Sequence, residues 1–132
     1  MLTEKQIEEK RNEIHNLKSQ IIELNGSISR LECEIRAHFL EQVQNRWPDI
    51  KYGDLVVVEH RVYRGGLTAR EDHYTTEPVF YCGPRYNKFA YELNDSNIDV
   101  IFKAVKKDGT MSQREAHNFT PWSILSIKKV EQ

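Results

Sequence analysis

Five isoleucines, Ile7, Ile14, Ile21, Ile28 and Ile35, recur at seven-residue intervals, and Leu17, Leu24 and Leu31 each follow one of the middle three by three residues. These are the a and d positions of a heptad repeat. Such a stripe averages one seam position every 3.5 residues, so it keeps facing one partner only if the helices supercoil left-handedly. The register predicts a long N-terminal coiled-coil helix over 1–47. Thr3 with Gln6 three residues later forms a capping box at its start, and Trp47-Pro48 stops it near Arg46, because proline disfavours helical geometry in the preceding residue.

The remaining positions agree with this register. Glu8, Glu9, Asn12, His15, Asn16, Ser19, Glu23 and Arg30 fall at b, c and f, where water is expected, and Cys33 falls at f as an incidental exposed thiol. Ile at a with Leu at d favours a parallel two-stranded coil. Glu13 at g can meet Lys18 at e of a second copy, for a few tenths of a kcal/mol. Lys10, His38 and Gln42 interrupt the seam towards its ends, which leaves Ile14 to Ile35 as the tight zone. One rival is a folded-back helical hairpin at Asn25-Gly26-Ser27, with Ser29 and Glu32 capping a second helix. Against it, the Ile and Leu positions cross that point in unbroken phase, which a loop has no reason to preserve.

From Lys51 the period changes from that of a helix to that of strands. Val56, Val58 and Val62 alternate with Glu59 and Arg61, and short β-rich runs follow at Pro78–Tyr81, Phe89–Leu93, Ile98–Val105, Thr110–His117 and Ile124–Val130. Gly65-Gly66, Gly83-Pro84, Asn94-Asp95 and Asp108-Gly109 separate them, the last reading as a two-residue hairpin turn. The fold class expected is therefore α+β: a coiled-coil helix over 1–47, then a small all-β domain over 48–132.

Two stretches give that domain a closer likeness. The entry Tyr52-Gly53-Asp54-Leu55-Val56 and the exit Phe119-Thr120-Pro121-Trp122-Ser123-Ile124-Leu125, read as a single 3₁₀ turn before a last strand, resemble the first and last strands of SH3-like barrels. Arg64–Glu77 would then stand where such barrels carry a long loop after the first strand. The resemblance covers the C-terminal domain and implies an architecture without a ligand. The Ala-Leu-Tyr-Asp-Tyr run and the paired-Trp groove of peptide-binding SH3 domains are absent from the sequence.

Charge and cysteine usage narrow the function classes. Acidic and basic residues number 20 and 19 and are evenly spread, so the electrostatic footprint of a dedicated nucleic-acid binder is missing. Cys33 and Cys82 show no pairing or CxxC spacing, which suits a reducing compartment. The start MLTEKQIEEK has no apolar h-region and no run reaches the length of a membrane span, so a soluble cytoplasmic chain is expected and the three Asn-X-Ser/Thr sequons are read as chance.

Catalytic and metal chemistry have little to stand on. His60, His73, Cys82 and His117 lie at spacings of thirteen, nine and thirty-five, which match no short ligand pair, and they read as separate surface or strand residues. Cys82 reads as a small hydrophobe at a strand end, Gly65-Gly66 is too short for a phosphate loop, and no nucleophile elbow occurs. No catalytic residue, metal or cofactor is assigned.

Aromatic residues are the richer set. Phe80, Phe89 and Tyr91 are expected in the core, whereas Tyr74, Tyr86 and Trp122, near turns and close to Arg70, Arg85 and Lys88, are candidates for an outer binding surface. The leading expectation is a non-enzymatic homo-oligomeric assembly or adaptor protein, in which the coil duplicates a small β-domain that meets a protein partner through Arg70, Tyr74, Arg85, Tyr86 and Trp122. The second is a nucleic-acid-associated protein using Arg61, Arg64, Arg70, Arg85 and Lys88, with Tyr74 and Tyr86 stacking.

Overall fold

A computed structural model describes residues 1–87 and 93–131, and the chain divides into two compact units, Met1–Ile35 and Arg36–Gln132. One helix, α1 (Glu4–Gln44), makes up the first unit and supplies the first residues of the second. Its start is a capping box: the Thr3 amide donates to Gln6 Oε1 at 3.0 Å, and the Gln6 amide donates to Thr3 Oγ1 at 3.2 Å.

The helix is continuous across Asn25-Gly26-Ser27, so the folded-back hairpin does not form. Gly26 has open space around it, and its cost is about 1 kcal/mol of helix propensity, too little to break a helix of 41 residues. No residue of Met1–Ile35 is buried.

The α-helical pattern ends at Gln44, two residues before the expected stop. The last four-residue step is Asn45 N–H to Glu41 O, after which Arg46 and Trp47 donate to Val43 O and Gln44 O three residues back. The final carbonyls are thus satisfied by tightening of the turn ahead of Pro48.

In the second unit six strands form one curled antiparallel sheet, compatible with a small barrel: β1 (Leu55–Arg64), β2 (Arg70–Thr75), β3 (Val79–Tyr86), β4 (Ile98–Val105), β5 (Met111–Phe119) and β6 (Ile124–Lys129). The order is β2-β1-β3-β4-β5, with β6 paired to β1. Strand β1 is long enough to serve three neighbours. Leu55 and Val56 pair with β3, Glu59–Arg64 pair with β2, and Val56–His60 pair with β6. A 3₁₀ turn at Pro121–Ser123 leads into β6, as the sequence indicates.

Arg64–Glu77 is not a long loop, because its second half is strand β2, paired antiparallel to β1 from Glu59↔Thr75 to Arg64↔Arg70. Side-chain ion pairs, not apolar alternation, accompany this ladder, which is why strand periodicity misses it. Arg64 Nε lies 2.7 Å from Asp72 Oδ2, and Arg61 Nη1 lies 3.5 Å from Glu71 Oε1.

The turn between β4 and β5 also differs from expectation. Lys106 N–H donates to Thr110 O at 2.8 Å and Gly109 N–H to Lys106 O at 2.9 Å, so the loop holds three residues, Lys107 to Gly109. Only glycines adopt positive φ in the described chain, and Gly109 does so at +87°, which matches a three-residue hairpin closed by a left-handed glycine in place of the two-residue turn. Asp108 Oδ1 secures it by accepting from the Thr110 amide at 3.0 Å.

Inward-facing residues of β1, β3, β4 and β6 build the core: Val56, Val58, Val79, Tyr81, Ile98, Val100, Phe102, Ile124 and Ile127. Val43 and Ile50 complete it, with Phe39, Leu40 and Trp47 packed against it, so the end of α1 is part of the hydrophobic core of this unit. Phe80 is buried as expected. Lys88, Phe89 and Tyr91, together with most of the run expected at Phe89–Leu93, lie outside the described residues, and Leu93 is in no strand.

Candidate functional site

Two features of the molecule offer surfaces to a partner: the heptad stripe of α1 and the exposed rings of the sheet unit. Along the stripe, fractional exposure runs from 37% at Ile7 to 63% at Leu24, and Ile14, Leu17, Ile21, Ile28, Leu31 and Ile35 lie within that range. Eight branched aliphatic side chains thus recur at heptad spacing along one helix, and all are exposed.

The five residues expected to meet a partner fall in three neighbourhoods. Arg70 and Tyr74 lie on β2. Arg70 Nε is 3.3 Å from Asp72 Oδ2, and the Tyr74 hydroxyl accepts from Arg64 Nη2 at 3.0 Å. Arg85 and Tyr86 lie near the end of β3. Arg85 grips Glu115 of β5 with both terminal nitrogens, at 2.5 and 3.2 Å, while Tyr86 is half-buried against the core with the Arg36 guanidinium 6.0 Å from its ring. Trp122 stands in the 3₁₀ turn, 59% exposed, with the Arg61 guanidinium 4.9 Å from its ring centroid.

Trp122 also borders a shallow cavity of about 450 Å³ with Arg46, Asp95, Ser96, Thr120 and Pro121. A second of about 460 Å³ is lined by Arg85, Tyr86, Asn87, Asp99, Glu115 and Asn118.

The sequence left His60 and His117 as unrelated strand residues, and the fold brings both against the ring of Phe119. The His60 ring stacks on Phe119 at 4.3 Å between centroids, and His117 stacks on Phe119 at 5.3 Å with 12° between planes. His60 also lies 5.9 Å from the Tyr74 ring, and His117 Nε2 is 2.8 Å from Glu77 Oε1.

Burial lowers the His60 pKa, and the nearby His117 lowers it further. Glu77 is held below the usual carboxylate range by a hydrogen bond from its own backbone amide and by His117. Strand parity is the signal that could have found His60, since it shares the inward face of β1 with Val56 and Val58.

Among the remaining chemistry-bearing side chains, Cys82 is half-buried, burial raises its thiol pKa, and Cys33 is exposed. Among the described residues no three His, Cys, Asp or Glu side chains gather as a metal site would require, and no helix is long and apolar enough to cross a membrane. Compared with known proteins, the chain matches no family model, no curated protein and no solved structure.

Proposed function

We propose that this protein is a non-enzymatic, homo-oligomeric assembly or adaptor protein of the cytoplasm, in which a parallel two-stranded coiled coil presents two copies of a small SH3-like β-domain to a protein partner. The exposed Ile and Leu stripe from Ile7 to Ile35 carries this reading. A straight, self-complementary seam of that length is best covered by an identical seam, and its Ile-a, Leu-d composition favours two parallel strands. Burying it releases about 25 cal/mol for each Å² of apolar surface removed from water.

Two features support the SH3-like architecture: β6 returns to pair with β1, and a 3₁₀ turn precedes it. Duplication on a rigid helix pair would let two weak sites act together, with avidity gains of about a hundredfold or more where the partner is repetitive. Trp122 and Tyr74 are the rings in the sheet unit best exposed for that contact among the residues selected from sequence.

The nucleic-acid reading has less support, because Arg61, Arg64, Arg70 and Arg85 each face a carboxylate, Glu71, Asp72, Asp72 and Glu115 respectively. Guanidinium groups tied up in this way have little charge to spare for phosphates.

Light scattering on the full chain tests the proposal. Twice the 15.6 kDa chain mass is expected at micromolar concentration, and Leu24→Glu is expected to return the monomer. A monomeric mass for the native chain overturns it.

A further inference from the structure

Strand β1 changes company at His60. Its pairing with β6 ends there, at His60↔Ile124, after a register shift between Glu59 and His60. Beyond that point, among the described residues, Arg61–Arg64 pair only with β2, so the two strands run on as an arm spanning Arg61 to Tyr74. The tip of the arm exposes Tyr63 at 62% and Leu67 at 108%.

A two-stranded ribbon has little stability of its own in water. Three arginine–carboxylate pairs stiffen this one, Arg61–Glu71, Arg64–Asp72 and Arg70–Asp72, and His73 Nε2 lies 2.7 Å from Glu71 Oε2, but both partners of each belong to the arm, so they do not fix it to the sheet.

Successive side chains of β1 point to opposite faces, and the two at the root of the arm each grip a ring, one at the end of β5 and one in the 3₁₀ turn that follows it. His60 stacks on Phe119 and lies 5.9 Å from the Tyr74 ring, and Arg61 lies over Trp122, three residues after Phe119. At the base, Thr76 N–H donates to Val58 O, and Val58 N–H donates to Thr76 Oγ1.

Of the two grips, only the His60 one titrates near neutral pH. The arm contributes Tyr74 to its surroundings. From β5, His117 stacks on Phe119 and is paired with Glu77, itself near Arg114. From β6 the partner is Ile124, and Asp72, further along the inward face of the arm, is held by Arg64 and Arg70. No carboxylate among these is free to welcome an imidazolium.

We propose that the β1–β2 arm is a pH-gated element, docked on Phe119 while His60 is neutral and released when His60 takes up a proton. A charged ring loses hydration in the stack and meets the positive charge of His117, so the docked state binds the proton less well than the released one. By linkage, docking is complete above the ordinary histidine value of 6.5 and weakens as pH falls through it, until it levels off below the lowered value. What the gate would set moving is the tip, whose Tyr63 and Leu67 are already exposed in the docked arm. The proposal concerns the second unit alone and stands whether or not the chain dimerises.

Hydrogen exchange on the full chain at pH 7.5 and 5.5, corrected for intrinsic rates, tests it with the β4 amides as reference. Amides of Arg61–Tyr74 are expected to lose protection severalfold at the lower pH while β4 does not. His60→Phe, which keeps the stack and cannot protonate, is expected to abolish the response. His117→Gln, which keeps a hydrogen bond to Glu77 but removes the charge, is expected to move the midpoint towards neutral. Equal arm protection at both pH values, or an unchanged response in His60→Phe, overturns the proposal. Should His60→Phe fail to fold by circular dichroism, the His117→Gln midpoint decides, and no shift or an acid shift refutes the gate.

Discussion

The hydroxyl of Tyr81, on β3, donates to Gln44 Oε1 in the last turn of α1 at 2.5 Å, and Gln44 Nε2 donates in turn to Ile50 O at 3.0 Å. One side-chain amide thereby ties the helix end to the sheet and to the turn between them. Tyr81→Phe leaves the Gln44 oxygen without its donor in a partly buried place, so a loss of about 1–3 kcal/mol is expected. Urea denaturation measures it, and an unchanged midpoint would show that the bond contributes nothing.

The same residue sets an alkaline limit. Burial pushes the Tyr81 phenol up to about 12, against an ordinary value of 10.0, and the Gln44 hydrogen bond offsets only part of this. A raised folded pKa means that the protonated phenol is favoured in the native state. That stability is present in full below pH 10 and is lost as pH rises towards 12. Ultraviolet absorbance is expected to show a late tyrosine ionisation that Tyr81→Phe diminishes, and the same substitution is expected to flatten the fall in stability over this range.

The elements that could be read from sequence were those whose residues declare a period. Ile7 to Ile35 announced α1, Thr3 and Gln6 its cap, and the valines of β1 and the Ile98–Val105 run two strands, because burial on one face leaves a periodic trace. Strand β2 left none: Arg70-Glu-Asp-His-Tyr-Thr75 is charged on both faces, and its ladder forms because β1 presents matching arginines. The His60–Phe119–His117 stack was illegible for another reason. Its members lie 59 and 2 residues apart, and the curl of the sheet brings these side chains of β1 and β5 together. Tyr86 was chosen for a surface partly from its nearness to Arg85 in sequence, yet its ring packs partly buried against the core, because the bulge at Cys82 shifts the parity of β3 beyond Tyr81.

Shortening the chain should reveal where the sheet unit begins. Residues 36–132 retain Phe39, Leu40, Val43 and Gln44, and this fragment is expected to stay folded with dispersed amide resonances. A fragment over 48–132 lacks those four and Trp47, and Val43 alone is 1% exposed in the core. Removing several core side chains at about 2 kcal/mol or more each exhausts the stability of a domain this small. Native-like near-ultraviolet circular dichroism in the shorter fragment would contradict the assignment of the helix end to the core.

Gly83 provides a test of backbone strain. It is a buried residue of β3 with φ at +89°, and the β3–β4 register shifts between Tyr81↔Phe102 and Gly83↔Ile101, so Cys82 is the extra residue of a bulge. A side chain there would find room: the nearest atom to an added Cβ is Gln44 Oε1, at an ordinary 3.9 Å. The penalty for Gly83→Ala should therefore come from the left-handed backbone, about 1–3 kcal/mol. Gly109 supplies the control, since its φ is +87° and nothing lies within 4 Å of an added Cβ. Comparable losses for Gly83→Ala and Gly109→Ala in chemical denaturation would assign both to conformation. A loss at Gly83 larger by more than about 2 kcal/mol would mean that the substitution also disturbs the Gln44–Tyr81 link beside it, and a double substitution with Tyr81→Phe would then show the two effects failing to add.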